Sequence, residues 1–167
     1  KILTAYFTNQ LLIEGTKTKN SEEIANLLEF YGAQFNLSCD WHYGNISFVT
    51  LNKFLPEIIS VTEDIIKNSV FPEKEFQTIV QKEKQQFMVD KTMVKTMARQ
   101  SFMSALFGEH HPYGRRADVS DYDNLNCDDV QKFYAEFYRE TNCYIIASGK
   151  ITKDVLDLLN NNFGGDD

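Results

Sequence analysis

The sequence predicts an α+β domain, a largely antiparallel sheet with helices packed on it. Three observations carry this expectation. Most of the chain repeats apolar side chains at three- and four-residue spacing, the period of an amphipathic helix. Two runs, residues 33–39 and 45–51, switch to alternation. Further on, Cys143-Tyr144-Ile145-Ile146-Ala147 is a short apolar run that reads as a third strand. At 167 residues, 43% of them hydrophobic, the chain suits one domain spanning 1–167.

The elements follow in order. Ile2, Leu3, Phe7, Leu11 and Leu12 form a helical repeat that stops at Gly15. After the polar loop Thr16–Lys19, Asn20 or Ser21 caps a second helix, with Glu22 and Glu23 favourably placed in its first turn. Its core face is Ile24, Leu27, Leu28 and Tyr31, and Gly32 closes it. Ala33, Phe35, Leu37 and Cys39 then alternate with Gln34, Asn36 and Ser38. A link, Asp40-Trp41-His42, leads to a second alternating run, Asn45–Leu51, which makes an antiparallel hairpin with one buried face. Leu55, Ile58, Ile59, Val61, Thr62, Ile65 and Ile66 restore the helical period, with Pro56 tolerated in the first turn.

Phe71-Pro72 breaks that helix. From Glu73 a long helical stretch runs to about Phe107, a length that calls for two helices or a kink near Asp90. Its mixed charges from Glu73 to Lys95 read as a solvated face, and Phe102, Met103, Leu106 and Phe107 read as core. Gly108–Gly114 is a turn-rich loop, and Asn126 caps a helix from Asp128 to Arg139. A last helix covers Thr152–Asn160, before Phe163-Gly164-Gly165. Three strands are few beside so much helix. The expectation is a domain truncated at its N-terminus, a fragment of a longer multi-domain chain whose upstream residues supply further strands.

Composition excludes several functions. Lys and Arg number 17 against 24 Asp and Glu, a net charge of −7 that disfavours nucleic acid and anionic membranes. Apolar runs fall far short of a membrane span, so a soluble protein is expected, its compartment undetermined. Cys39, Cys127 and Cys143 form no CxxC pair and read as small buried hydrophobes. His110 and His111 are adjacent in a loop without a third ligand nearby, and read as packing Tyr113 and orienting Arg115. His42, at the hairpin turn, reads as a packing residue. No nucleophile elbow is present, and Gly164-Gly165 is no phosphate loop.

Several ordered strings carry a resemblance. Leu12-Ile13-Glu14-Gly15-Thr16, Ser21-Glu22-Glu23-Ile24 and Tyr31-Gly32-Ala33 come first. Phe71-Pro72-Glu73, Leu106-Phe107-Gly108 and His111-Pro112-Tyr113-Gly114-Arg115 follow, then Asp129-Val130 with Phe133-Tyr134, and Ala147-Ser148-Gly149-Lys150-Ile151. Together they resemble the N-terminal-type domain of the pitrilysin/insulinase zinc metallopeptidases, the inverzincins, and so imply the fold of the mitochondrial processing peptidases. In that family H-x-x-E-H on the first helix supplies two zinc-binding His and a general-base Glu, and a Glu about 75 residues downstream is the third ligand. Counting back from Gly15-Thr16 aligns this motif with Tyr6-Phe7-Thr8-Asn9-Gln10, and the distal ligand with Gln85 or Gln86.

Both zinc His are thus replaced by Tyr6 and Gln10, and the base by Asn9. An amide has no basic lone pair with which to deprotonate water, and its oxygen is a poor partner for zinc. The resemblance implies a catalytically degenerate member that binds no zinc and has no catalytic residues. Tyr6, Asn9 and Gln10 become candidate peptide contacts, because in this family extended peptide substrates add to a sheet edge beside this helix. The implied role is a partner subunit or domain, shaping a chamber and holding peptide for a homologous zinc-bearing peptidase. Two alternatives stay open, a scaffold that keeps the fold for assembly alone and an active zinc endopeptidase.

Overall fold

The computed structural model describes residues 3–164; Ile2 and Gly165, read above as part of the first helix and of the final turn, lie outside the described residues. The elements are α1 (Thr4–Leu11), α2 (Ser21–Phe30), β1 (Gln34–Cys39), β2 (Gly44–Val49), α3 (Leu55–Asn68), α4 (Glu73–Asp90), α5 (Val94–Phe107), α6 (Val119–Asp123), α7 (Cys127–Phe137) and α8 (Lys153–Phe163). The fold is α+β, mostly helical, with β1 and β2 paired antiparallel from Gln34↔Val49 to Cys39↔Gly44.

Local chemistry sets the boundaries. Asn20 caps α2 in a full capping box with Glu23, and Asn126 does the same for α7 with Asp129. Gly32, at φ 60°, takes the left-handed turn that releases the chain from α2 into β1. The long helical stretch does split after Asp90, into α4 and α5. Phe71 adopts φ 51°, a strained conformation for an aromatic residue, held by burial of its ring edge-on to Tyr134 at 5.0 Å. That turn, backed by Pro72, separates α3 from α4.

The core is built around α1. Phe7, Leu11 and Leu12 are fully buried among Ile24 and Leu28 of α2, Ile58 and Ile65 of α3, Phe76 and Val80 of α4, and Val130 of α7. The helix also lies across the hairpin, whose inner residues Phe35, Leu37, Ile46 and Phe48 are half-buried against the core. Among the described residues no helix is long and apolar enough to cross a membrane.

Four expectations need correction. Cys143–Ala147 forms no strand: no other described strand lies beside it to complete a ladder, and Tyr144 and Ile146 are 87% and 93% exposed. Phe102, Leu106 and Phe107 are exposed rather than core, because α5 turns Ser104 inward. Of the cysteines only Cys127 is buried; Cys39 is half-buried and Cys143 exposed. Finally, α6 was not foreseen: its five residues are too few to show a period, although Asp118 and Asp121 build a capping box there.

The loop after α1 is locked to α3 by one carboxylate. Asp64 accepts hydrogen bonds from the hydroxyls of Thr16 and Thr18, each at 2.7 Å, from Asn68 at 2.9 Å and from Lys19 at 3.2 Å. Burial alone would raise its pKa, but the bonds from Thr18, Thr16, Asn68 and Lys19 outweigh burial and lower it to about 2. A carboxyl so depressed stabilises the fold fully above the unfolded value of about 3.9, and the contribution is lost as pH falls towards 2. Asp64→Asn is expected to cost on the order of 1–2 kcal/mol at neutral pH and to flatten the loss of stability between pH 4 and 2. Urea denaturation across that pH range measures both.

Candidate functional site

Tyr6, Asn9 and Gln10 lie on one side of α1, at i, i+3 and i+4. Phe7 and Leu11, on the opposite side, enter the core and hold the helix in place. The polar side faces three other elements. From α4 comes Glu83, whose carboxylate accepts the Tyr6 hydroxyl at 3.0 Å. From β2 comes the backbone carbonyl of Asn45, and from the residue that ends α7 comes Tyr138.

Asn9 is the centre of this network and has no solvent exposure. Its Nδ2 donates to the Asn45 carbonyl at 3.3 Å and to the Tyr138 hydroxyl at 3.4 Å. Its Oδ1 accepts from Gln10 Nε2 at 3.4 Å. A buried amide left unpaired would cost about 1–3 kcal/mol, so these bonds fix both the side chain and the hairpin relative to α1. Gly44 makes the approach possible: a Cβ there would lie 2.8 Å from the Tyr138 hydroxyl.

The electrostatics keep the phenols neutral. Burial, then the hydrogen bond and charge of Glu83, push Tyr6 up to about 12. Burial pushes Tyr138 up to about 12 against the opposing bond from Asn9. The Cys39 thiol beside them is raised by burial and by Asp40. At neutral pH the site therefore offers phenol and amide donors, amide oxygens and one hydrogen-bonded carboxylate. This donor set does not match zinc, which takes imidazole, thiolate and carboxylate in tetrahedral array. The Asn9 oxygen is already engaged, and no three His, Cys, Asp or Glu are grouped to hold a metal ion among the described residues.

The other sequence candidates separate from this site. Gln85 and Gln86 are exposed on α4, and Gln86 donates to Asp90 of its own helix. Glu83, three residues before Gln86 and one helical turn along the same face, is the α4 residue that meets Tyr6. Asn45 and Tyr138 were missed, one because it acts through its backbone, the other because it follows the end of α7. His42, His111, Trp41, Phe107 and Tyr113 form an aromatic cluster that ties the hairpin turn to the 108–114 loop. Tyr113 is packed as foreseen, its hydroxyl on His42 Nε2 and its backbone N–H donating to His111 Nδ1. Arg115 and Arg116 are both exposed, and it is Arg116 whose Nε donates to Ser104.

Comparison with known proteins follows this geometry. The family model described as insulinase, peptidase family M16, matches residues 4–115, more than half of the chain. An uncharacterized zinc protease of Rickettsia bellii is 24% identical over 153 residues, covering 88% of this chain and 36% of that protein. The chain thus spans about a third of that relative. A protease from Helicobacter pylori superposes with a TM-score of 0.85 at 18% identity, over 96% of this chain and 39% of the other. An inactive M16 peptidase domain from Pseudomonas fluorescens superposes at 0.72 with 22% identity, over 77% and 32%. At these identities the structures show a shared fold.

The raised phenols carry a sign that can be tested. Tyr6 and Tyr138 ionise near 12 in the folded protein and near 10 when unfolded, so their contribution is complete below pH 10 and is lost as pH rises towards 12. Glu83→Gln removes two of the causes that raise Tyr6. The expected result is a tyrosinate absorbance titration in which the phenols of Tyr6 and Tyr122, both raised by the Glu83 charge, move to lower pH while that of Tyr138 stays.

Proposed function

The chain belongs to the insulinase family of peptidases, M16, and on that footing we propose that it is a non-catalytic member that works beside a zinc-bearing homologue. The observation that carries this reading is the replacement of a zinc-and-base triad by a closed hydrogen-bond network. Tyr6 is tied to Glu83, and Asn9 to Asn45, Tyr138 and Gln10, where the family places two imidazoles and a carboxylate. None of the α1 groups takes a proton from water at neutral pH: two are amides and the third is a phenol raised to about 12. The chain binds no zinc and lacks the catalytic step of its family.

What remains is a surface suited to extended peptide. Gln10 is half-buried at the outer end of the network, with its Oε1 carrying no hydrogen bond among the described residues. An amide presents one donor group and one acceptor, the complement of a peptide unit. Tyr6 and Asn9 position it, and the hairpin beside it brings strand backbone to the same place. In this reading the chain is one wall of a peptide chamber whose other part, a homologous subunit or domain, holds the metal. The similarity in fold to an M16 domain described as inactive supports it.

Two measurements test the proposal. Metal analysis of the purified protein is expected to find no stoichiometric zinc, and native mass spectrometry to find it associated with a homologue that carries H-x-x-E-H. The triple substitution Tyr6→His, Asn9→Glu and Gln10→His is expected to create measurable zinc affinity, with Glu83 supplying the carboxylate, and a companion variant adds Gln86→Glu. Zinc bound by the unaltered chain would refute the non-catalytic reading, and absence of zinc from both folded variants would refute the alignment of α1.

A further inference from the structure

Helix α5 is built inside out. Thr96, Gln100, Met103 and Ser104 turn towards the protein, and Ser104 is the residue of the helix that is buried. Its hydroxyl donates to the Gly114 carbonyl at 2.6 Å and accepts from Arg116 Nε at 2.9 Å. The outward face carries Val94, Met97, Ala98, Phe102, Ala105 and Leu106, all exposed, with Val94 81% and Phe102 63% accessible. Met88, Val89 and Met93, just before the helix, extend the apolar surface. Among the described residues no other helix or strand packs along α5 as α7 packs along α1.

Exposed apolar strips of this kind mark interaction sites. Its relief and its charge say what binds. Val94, Ala98, Phe102 and Leu106 recur every four residues, forming the ridge by which helices interlock, and Ser101 and Ala105 leave hollows beside the larger side chains. Methionine adds a surface able to repack around a helical guest. The strip is flanked by Lys95 and Arg99, neither of which has an ion-pair partner among the described residues. Residues 91–116 contain five cations, Lys91, Lys95, Arg99, Arg115 and Arg116, against Glu109 alone, with Lys91 paired to Asp118 at 2.8 Å. This segment carries +4 in a chain of −7, so the other residues carry −11.

We infer that α5 is the docking face for an acidic amphipathic helix of a protein partner. The guest's apolar stripe packs on Val94, Met97, Phe102 and Leu106, and its carboxylates meet Lys95 and Arg99. A second copy of the chain presenting the same face would set these cations against themselves. An anionic membrane would repel the −11 carried elsewhere. The inference stands independently of the peptide-holding role, since α5 contributes no group to the α1 site.

The test uses two fluorescent helical peptides with the same leucine stripe, one flanked by glutamate and the other by lysine. The glutamate peptide is expected to bind the protein roughly tenfold or more tightly than the lysine peptide, with an affinity that falls as salt rises. Val94→Asp, at a position exposed enough to leave the circular dichroism unchanged, should weaken that binding roughly tenfold. The double variant Lys95→Glu with Arg99→Glu should invert the preference between the peptides. Equal affinity for the two peptides, no binding of either, or indifference to Val94→Asp overturns the inference. So does adsorption of the protein to phosphatidylserine vesicles, or a dimer by sedimentation that Val94→Asp dissolves.

Discussion

Burial of one short helix, α1, holds the rest of the structure in place. Eight residues are too few to be stable as a helix alone in water, so α1 exists because its surroundings hold it. Phe7 and Leu11 sink without residual exposure into a core drawn from α2, α3, α4 and α7, and the hairpin closes over the helix. Each element of the candidate site approaches along a different side of that helix. Glu83 arrives because α4 packs on it, Asn45 because β2 does, and Tyr138 because α7 ends there. The position of the polar groups is therefore inherited from the apolar ones.

Much of this was legible in the sequence because its signals are local. Asn20 and Asn126 announce their helices within three residues, and Gly32 ends one and opens the hairpin. The alternation in 33–39 and 45–51 needs no partner to be read, since one buried face dictates it. Tyr6, Asn9 and Gln10 could be placed on one side of a helix by spacing alone. Glu83 could not be placed so firmly. It lies 77 residues from Tyr6, and α4 is weakly patterned, with only Phe76 and Val80 buried to fix its rotation. Cys143–Ala147 failed for the opposite reason: its side chains favour a strand, but a ladder needs a neighbouring backbone that side-chain composition cannot supply.

The misreading of α5 has its own physical cause. Pattern reading assumes that the more apolar face of a helix turns inward, and here hydrogen bonding decides instead. The loop after α5 returns so closely that a Cβ on Gly114 would meet the Gly108 carbonyl oxygen at 2.1 Å. This return brings the Gly114 carbonyl and Arg116 onto Ser104. Rotating α5 to bury Phe102 would leave the buried Gly114 carbonyl without its hydroxyl, at about 1–3 kcal/mol for the orphaned group. That is comparable to the about 1.5–3 kcal/mol gained by burying one large apolar side chain. The aromatic cluster of Trp41, His42, Phe107, His111 and Tyr113 holds the loop in the same orientation from the other side.

On the proposed non-catalytic reading, the α1 network is a change of chemistry without a change of shape. Tyr6 is large, and its hydroxyl reaches Glu83 across the space between α1 and α4, so the two helices stay braced by a hydrogen bond. Asn9 keeps a polar atom at the centre of the face but uses it to bind the hairpin and Tyr138. A carboxylate in its place would lose the donor that the Asn45 carbonyl needs, and would set a charge where there is no solvent exposure. The amide is therefore required by its neighbours as much as by α1. On the proposed reading, metal chemistry would require change at Tyr6, Asn9 and Gln10 together, because each side chain is hydrogen-bonded to another group of the network.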